Sequence, residues 1–229
     1  MTYRARVLFL ASSLLLLGLT LWTTAVEAQN CTGPFPVTGQ TTSYSASTLT
    51  ETGAPVLDDG AVQAGRALSY QDNGDGTLTD LNTHLMWEKK SEDGSLHDVS
   101  ITLPWSSSTT TTIWDWLAQV NTEGGIGFAG YNDWRIPNVK ELQSIIDYGT
   151  SDPAVDPAFN RGVSAGCTAL GCSATASGSY WSSSTRANFH WSAWIVTFYL
   201  GTNFSDYKAF DPSFNNVHFV RAVRGGCLS

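Results

Sequence analysis

The sequence is poor in charged side chains. Asp, Glu, Lys and Arg make up 14% of the chain, against about a quarter in an average globular protein. Acidic residues predominate, with 20 Asp and Glu against 12 Lys and Arg and a net charge of −8. Because an acidic surface repels polyanions, the composition argues against nucleic acid and anionic membranes as partners.

The motifs of common catalytic sites are also missing. No GxSxG, HExxH or P-loop pattern occurs in the chain. Its histidines, His84, His97, His190 and His218, are scattered, and no acidic pair lies within a recognisable motif. A pair of glycosidase carboxylates is defined in space rather than in sequence, so that alternative stays open. We expect a protein with no catalytic residues.

Long apolar runs are absent except for one, at residues 7–21. It follows two basic residues, Arg4 and Arg6, and is shorter than the roughly 20 residues that a membrane-spanning helix needs. This pattern is typical of a secretory signal. We predict a signal peptide over 1–28 and a mature chain beginning at Gln29, and hence a secreted, periplasmic or cell-surface protein with no membrane span.

Cysteine is scarce, but the count is even. The four cysteines are Cys31, Cys167, Cys172 and Cys227. In an exported protein an even count indicates two disulfides, for which three pairings exist. We favour Cys167 with Cys172, which closes a small loop, and Cys31 with Cys227, which joins the ends of the domain. The spacing excludes a CxxC redox pair, and the lack of a nearby His disfavours zinc.

Two regions follow the predicted leader. Residues 29–66 are rich in Ser, Thr, Gly, Ala and Pro and predict an extended N-terminal arm. Residues 67–229 carry clear periodicity and predict a single domain.

The domain begins with a hairpin signal. Strand-like runs at Ala67–Tyr70 and Thr77–Asp80 flank the turn sequence Asp72-Asn73-Gly74-Asp75-Gly76. Its carboxylates also suggest a bound calcium ion with Asp72, Asp75 and Asp80 as ligands, although the EF-hand spacing is not met. The turn alone is the favoured interpretation, and otherwise we expect no cofactor.

Two short helices are predicted from their capping residues. Thr112 and Asp115 have the spacing of a capping box before the apolar positions Ile113, Trp116, Leu117 and Val120.

The second helix is predicted from Asn138 to Asp147. Asn138 and Glu141 form the capping pair, Leu142 lies on the apolar face, and Gly149 is the expected C-terminal cap. Just upstream, Trp134 offers a ring for burial, and Arg135 a fork suited to a fixed carboxylate or carbonyl. We assign these residues structural roles, so the helix is needed for folding rather than for chemistry.

The second half of the chain is β-like. Strands are predicted at Tyr180–Ser183, Trp191–Leu200, Tyr207–Phe210 and Val217–Arg224. The predicted fold class is α+β, with an antiparallel sheet and two short helices packed beside it.

Several motifs in a fixed order resemble a known family. They are YQDNGDGTLTDLNTHLMWEK, GFAGYNDWRIPNVKELQSIIDY, DPAVDPAFN, YWSSS, WIVTFYLG and FVRAVR, within about residues 68–224. Together they resemble the C-terminal domain family of the Legionella collagen-like protein. His84 stands where that family usually has Gly, and no Gly-X-Y repeats precede the domain. The segment DWRIPN is more distantly similar to C-type-lectin-like folds and to formylglycine-generating enzymes.

The resemblance implies a secreted binding module for adhesion or carbohydrate recognition. The stretch YWSSSTRANFHWSAW mixes aromatic rings with hydroxyl, amide and guanidinium groups, as sugar binding requires. The candidate ligand-binding residues are Tyr180, Trp181, Arg186, Asn188, His190, Trp191 and Trp194. Loss of residues 1–28 takes the net charge from −8 to −9, so the expected ligand is a neutral or weakly charged glycan.

Two alternatives to glycan binding stay open. One is an enzyme related to the formylglycine generators, which would need reactive cysteines at positions 167 and 172. The other is a structural domain that binds a cell-surface or extracellular protein, and a homo-oligomer is compatible with either. For any single Trp on a strand, burial in the core competes with ligand binding.

Overall fold

The computed structural model describes residues 35–43 and 58–226. The predicted signal peptide lies outside these residues, as do Cys31 and Cys227. The helices are α1 (Asp59–Val62), α2 (Ile113–Thr122) and α3 (Val139–Ser144). The strands are β1 (Tyr70–Asp72), β2 (Thr77–Asp80), β3 (Leu85–Glu88), β4 (Thr102–Leu103), β5 (Ser179–Arg186), β6 (Phe189–Thr197), β7 (Thr202–Tyr207), β8 (His218–Phe219) and β9 (Val223–Gly225).

The strands form two sheets rather than the one that we predicted. Four strands pair in the order β1-β2-β3-β9, and five in the order β4-β8-β5-β6-β7. All these pairs are antiparallel except β5 with β8, which is parallel. The predicted last strand is divided, because β8 joins the five-stranded sheet and β9 the four-stranded sheet. The fold class is α+β, as predicted, and the likeness to C-type lectins stays a prediction.

Both predicted capping boxes form. In α2 the Thr112 side chain accepts from the Asp115 N–H, and the Asp115 carboxylate accepts from the Thr112 N–H. In α3 Asn138 and Glu141 make the same reciprocal bonds. These bonds satisfy backbone N–H groups that a helix start leaves without partners.

The C-terminal end of α3 differs from the prediction. The helix stops at Ser144, so Gly149 is not its cap. Ile145 and Ile146 remain buried, and Ile146 leaves helical geometry to form a bridge with Val155. The predicted apolar face is therefore in the core, although only part of it is helical.

The core is divided by the five-stranded sheet. On one face Leu142 of α3 packs with Tyr180 and Val196, and with Trp87 of the four-stranded sheet. On the other face α2 packs against a second cluster, whose buried members are Ile113, Trp116, Val120, Phe128, Trp134, Ile136, Trp181, Ala193, Ile195, Val220 and Ala222. Since neighbouring residues of a strand point to opposite faces, β5 and β6 supply apolar side chains to both clusters.

A backbone contact joins the segments that follow β4 and β7, the two edge strands of the five-stranded sheet. Ser106, just after β4, forms a parallel bridge with Ala209, just after β7. The Ser106 N–H donates to the Lys208 carbonyl at 2.8 Å, and the Phe210 N–H donates to the Ser106 carbonyl at 2.8 Å. This contact brings Trp105 next to Lys208 and so positions the surface described below.

The described parts of the N-terminal arm are not simply extended. Residues 58–66 include the one-turn helix α1, and Pro36 forms a bridge with Arg66. The Tyr148 N–H donates to the Thr38 carbonyl at 2.7 Å, so the arm is attached to the domain. None of the helices in residues 35–43 and 58–226 is long and apolar enough to cross a membrane.

Candidate functional site

The hairpin of β5 and β6 carries an exposed aromatic pair. Phe189 and Trp191 are 40% and 46% exposed, and their rings meet edge to face at 5.3 Å. The guanidinium of Arg186 lies 4.5 Å from the centre of the Phe189 ring and donates to the Ser205 hydroxyl at 3.0 Å. The rings are therefore held in place by a cation and by each other while their faces stay accessible.

A second aromatic pair is formed by Trp105, which follows β4, and Trp114 of α2. Trp105 and Trp114 meet edge to face at 4.9 Å, and Trp114 is 38% exposed. The Trp105 indole N–H donates to the Ser182 carbonyl at 3.2 Å, which fixes its ring. The Lys208 ammonium lies 4.4 Å from the Trp105 ring centre and donates to the Thr185 hydroxyl at 2.7 Å.

The two pairs are linked through Lys208. Its backbone N–H donates to the Trp191 carbonyl at 2.9 Å, in line with the register in which Ser192 faces Tyr207. Directly opposed residues of antiparallel strands project to the same face. Lys208 and Trp191 are thus neighbours in the backbone, and Lys208 connects the two aromatic pairs. We call the two pairs with their cations the aromatic strip; it consists of Trp114, Trp105, Lys208, Trp191, Phe189 and Arg186.

Two of the predicted binding residues lie in the core. Tyr180 is 0% exposed and Trp181 is 1% exposed, on opposite faces of the sheet. The Tyr180 hydroxyl accepts from the Ala176 N–H at 2.9 Å, and the Trp181 indole N–H donates to the Leu103 carbonyl at 2.8 Å. The expectation that their rings face a ligand is wrong, because they are covered by packing.

The other predicted residues stay near the surface. Trp191 and Arg186 belong to the aromatic strip, and Asn188 is exposed in the turn between β5 and β6. His190 is exposed and its ring lies 5.0 Å from that of Trp191. Trp194 is half-buried and directly opposes Ser205, to which Arg186 donates, so it lies on the Arg186 side of the sheet rather than beside Trp191.

Four members of the strip were not predicted. Trp105 and Trp114 lie on either side of the Ser/Thr run at 106–112, and Lys208 is far away in sequence. The Ser106–Ala209 bridge brings Trp105 and Lys208 together, and no local sequence pattern predicts such a bridge. Phe189 was visible in the predicted stretch but was left out of the candidate set.

The predicted calcium ligands do not converge. Asp72 is paired with Lys89 at 3.0 Å and with Arg161 at 2.8 Å. Asp75 accepts from the Thr77 N–H and hydroxyl, and Asp80 accepts from residues of its own turn. In the described ranges, no three His, Cys, Asp or Glu side chains are arranged so that they could hold a metal ion. These carboxylates stabilise turns and do not form the suggested cation site.

A buried ionic cluster lies beside the second core. The Glu88 carboxylate accepts from the Lys90 ammonium at 3.0 Å, the His97 Nδ1 position at 2.7 Å and the Ala222 N–H at 2.7 Å. Burial opposes the charge, but the Lys90 ammonium and these hydrogen bonds outweigh it and hold the pKa of Glu88 below its ordinary value. On its other side His97 contacts Glu123 at 2.9 Å. The cluster is satisfied internally and serves to join separate segments.

One of the predicted disulfides is present. Cys167 and Cys172 are joined, with their Cα atoms 6.0 Å apart. These sulfurs are therefore not available as the thiols that the formylglycine alternative requires. The pairing of Cys31 with Cys227 lies outside the described residues and stays a prediction.

The fold and the surface together define a mixed α+β domain with an exposed aromatic and cationic strip. Residues 76–224 match the family described as the Lcl C-terminal domain. Since the match covers well over half of the chain, the protein belongs to this family of extracellular-type domains, as the order of motifs predicted. No curated protein gives a significant match to the chain.

Proposed function

We propose that the protein is a non-catalytic binding module that recognises a neutral carbohydrate on the aromatic strip. The observation that supports this proposal is the set of three exposed rings, Trp114, Phe189 and Trp191, with the partly exposed cations Lys208 and Arg186 beside them. A family of extracellular-type domains is a suitable setting for such a surface.

The strip has the chemistry that a sugar needs. The C–H faces of a pyranose are apolar and pack on aromatic faces, while the hydroxyl groups need donors and acceptors at the ring edge. Trp191 and Phe189 supply accessible rings. Arg186, Asn188 and His190 lie beside them and supply guanidinium, amide and imidazole groups.

The charge of the chain favours a neutral ligand. The full sequence carries −8, and a polyanion must approach against that field. The two cations of the strip are already engaged, Arg186 with Ser205 and Lys208 with Thr185. These bonds orient the two side chains, and we expect their remaining N–H groups to donate to sugar hydroxyls.

A glycan array of the mature protein, with and without EDTA, tests the proposal. We expect binding to neutral glycans that persists in EDTA. Trp191→Ala should weaken it by about tenfold or more, with an unchanged melting temperature, because the ring is 46% exposed. Tyr199→Ala is the matched control, since Tyr199 is 51% exposed and lies outside the strip.

Three results would contradict the proposal. A blank array would favour the protein-binding alternative, and binding confined to sulfated chains would refute the charge argument. Loss of binding together with a lower melting temperature in Trp191→Ala would place that ring in the structural core.

A further inference from the structure

A cavity separate from the aromatic strip lies under the loop that follows β7. Its volume is about 360 Å³, within the range of small-ligand sites. The lining residues are Tyr207, Ala209, Phe210, Asp211, Phe214 and Asn216. We call it the loop cavity.

The loop that lines the cavity is fixed by the side chain of Asn216, which is buried. Its side-chain carbonyl accepts from the Asp211 N–H at 2.8 Å. Its amide nitrogen donates to the Tyr207 and Ala209 carbonyls at 2.7 and 2.6 Å. The amide therefore joins both sides of the loop, so the lining is organised before any ligand arrives.

The rings in the lining are accessible. Tyr207 is 58% exposed and Phe214 is 78% exposed, while Phe210 is partly buried. Such exposure of large apolar rings around one cavity is costly in water unless a ligand covers them.

The charge in the lining is negative. Asp211 supplies a carboxylate, fixed by the bond that it accepts from the Ser213 N–H at 2.8 Å, and the lining contains no Lys, Arg or His. The neighbouring Lys208 projects to the other side of the strand, where it contacts Thr185 and Trp105. Aromatic rings beside an uncompensated carboxylate are the groups that bind organic cations.

We propose that the loop cavity binds a small quaternary ammonium compound. The cationic head contacts the faces of Tyr207, Phe210 and Phe214, and Asp211 balances its charge. A quaternary ammonium has no N–H to satisfy, so it suits a lining in which the Asn216 amide is already committed to the protein. A sugar would find few directional partners there.

Titration with choline tests this proposal, followed by calorimetry or by the chemical shifts of backbone amides in residues 207–216. We expect saturable binding, and an affinity at least about fivefold weaker for the uncharged isostere in which carbon replaces the nitrogen. Equal affinity for the isostere, no saturation up to about 50 mM, or binding of neutral sugars at these amides instead would overturn the proposal.

Two variants locate the site. Asp211→Asn keeps an oxygen for the Ser213 N–H but removes the charge, and Phe214→Ala removes one exposed ring; each should weaken choline binding by about fivefold or more. Tyr199→Ala and Trp191→Ala, which lie outside the loop cavity, should leave choline binding unchanged. Unchanged binding in Asp211→Asn would exclude the carboxylate as the counter-charge. Choline binding does not depend on the glycan proposal, so the two can fail separately.

Discussion

Arg135 and Glu141 form a two-pronged ion pair, with Nη1 to Oε2 at 2.7 Å and Nη2 to Oε1 at 2.6 Å. The same Glu141 carboxylate accepts from the Asn138 N–H at 2.8 Å, and Arg135 also donates to the Gly225 carbonyl at 3.2 Å. The Glu141 side chain therefore caps α3 and, through Arg135, joins the start of that helix to β9. This is the fixed carboxylate that the planar Arg135 fork predicted.

Our first prediction separates the cap from the ion pair. Glu141→Ala should lower the free energy of unfolding by about 1–2 kcal/mol, because the Asn138 N–H loses its acceptor. Glu141→Gln should cost less than about 1 kcal/mol, since it keeps an acceptor and loses only a partly exposed ion pair. Leu142→Ala should cost about 2–5 kcal/mol, because Leu142 is fully buried. Guanidinium unfolding curves measure all three.

Lys140→Ala is the control for this series, since Lys140 is exposed on the same helix and its truncation should change little. If Leu142→Ala and Glu141→Ala both unfolded at the same guanidinium concentration as the wild type, α3 would not be needed for folding.

The starts of both helices were predictable because capping is a local signal. The end of α3 was not, since Ile145 and Ile146 keep helical spacing in the sequence. Ile146 instead pairs with Val155, a tertiary contact that overrides the helical pattern. In the predicted hairpin, β2 has the expected bounds, because its turn is also a local signal, whereas β1 begins at Tyr70 rather than at Ala67.

The candidate site was predictable only in part. Composition led to Trp191 and its hairpin neighbours, which are exposed, but also to Tyr180 and Trp181, which are buried. The five-stranded sheet is packed on both faces, so an aromatic residue on β5 can be buried in either direction. A strand with one exposed face alternates apolar and polar residues, and the alternation shows which side is buried. The strands of this sheet give no such signal.

The second prediction concerns the pH dependence of stability at His97. Burial and the repulsion from Lys90 favour a lower pKa of His97. The hydrogen bond and attraction to Glu88, with a further hydrogen bond to Glu123, outweigh them. The pKa of His97 is therefore raised above 6.5. A raised pKa contributes stability that is full below about pH 6.5 and is lost as the pH rises through the folded-state value. The stability difference between wild type and His97→Gln should therefore shrink as the pH rises above about 6.5.

His218 provides a control of opposite sign. Burial lowers the pKa of His218 despite its bond to Asp206 at 2.8 Å. Its contribution is present above about pH 6.5 and is lost as the pH falls through the lowered value, so the difference between wild type and His218→Gln should grow with pH. Urea unfolding on both sides of about pH 6.5 measures both variants. A difference for His97→Gln that grew with pH would show that burial, not the carboxylates, controls that imidazole.

The last prediction concerns His84, whose backbone conformation is one that favours Gly. His84 is exposed and has a φ of 57°, in the left-handed region that L-residues with a Cβ occupy at a cost. His84→Gly should raise the free energy of unfolding by up to about 1 kcal/mol, because relief of that cost exceeds the added entropy of the unfolded chain. His84→Ala is the matched control, since it removes the imidazole but keeps the Cβ, and it should give no gain. Thermal and guanidinium unfolding compare the three proteins. A His84→Gly variant less stable than His84→Ala would mean that the turn tolerates a Cβ without strain.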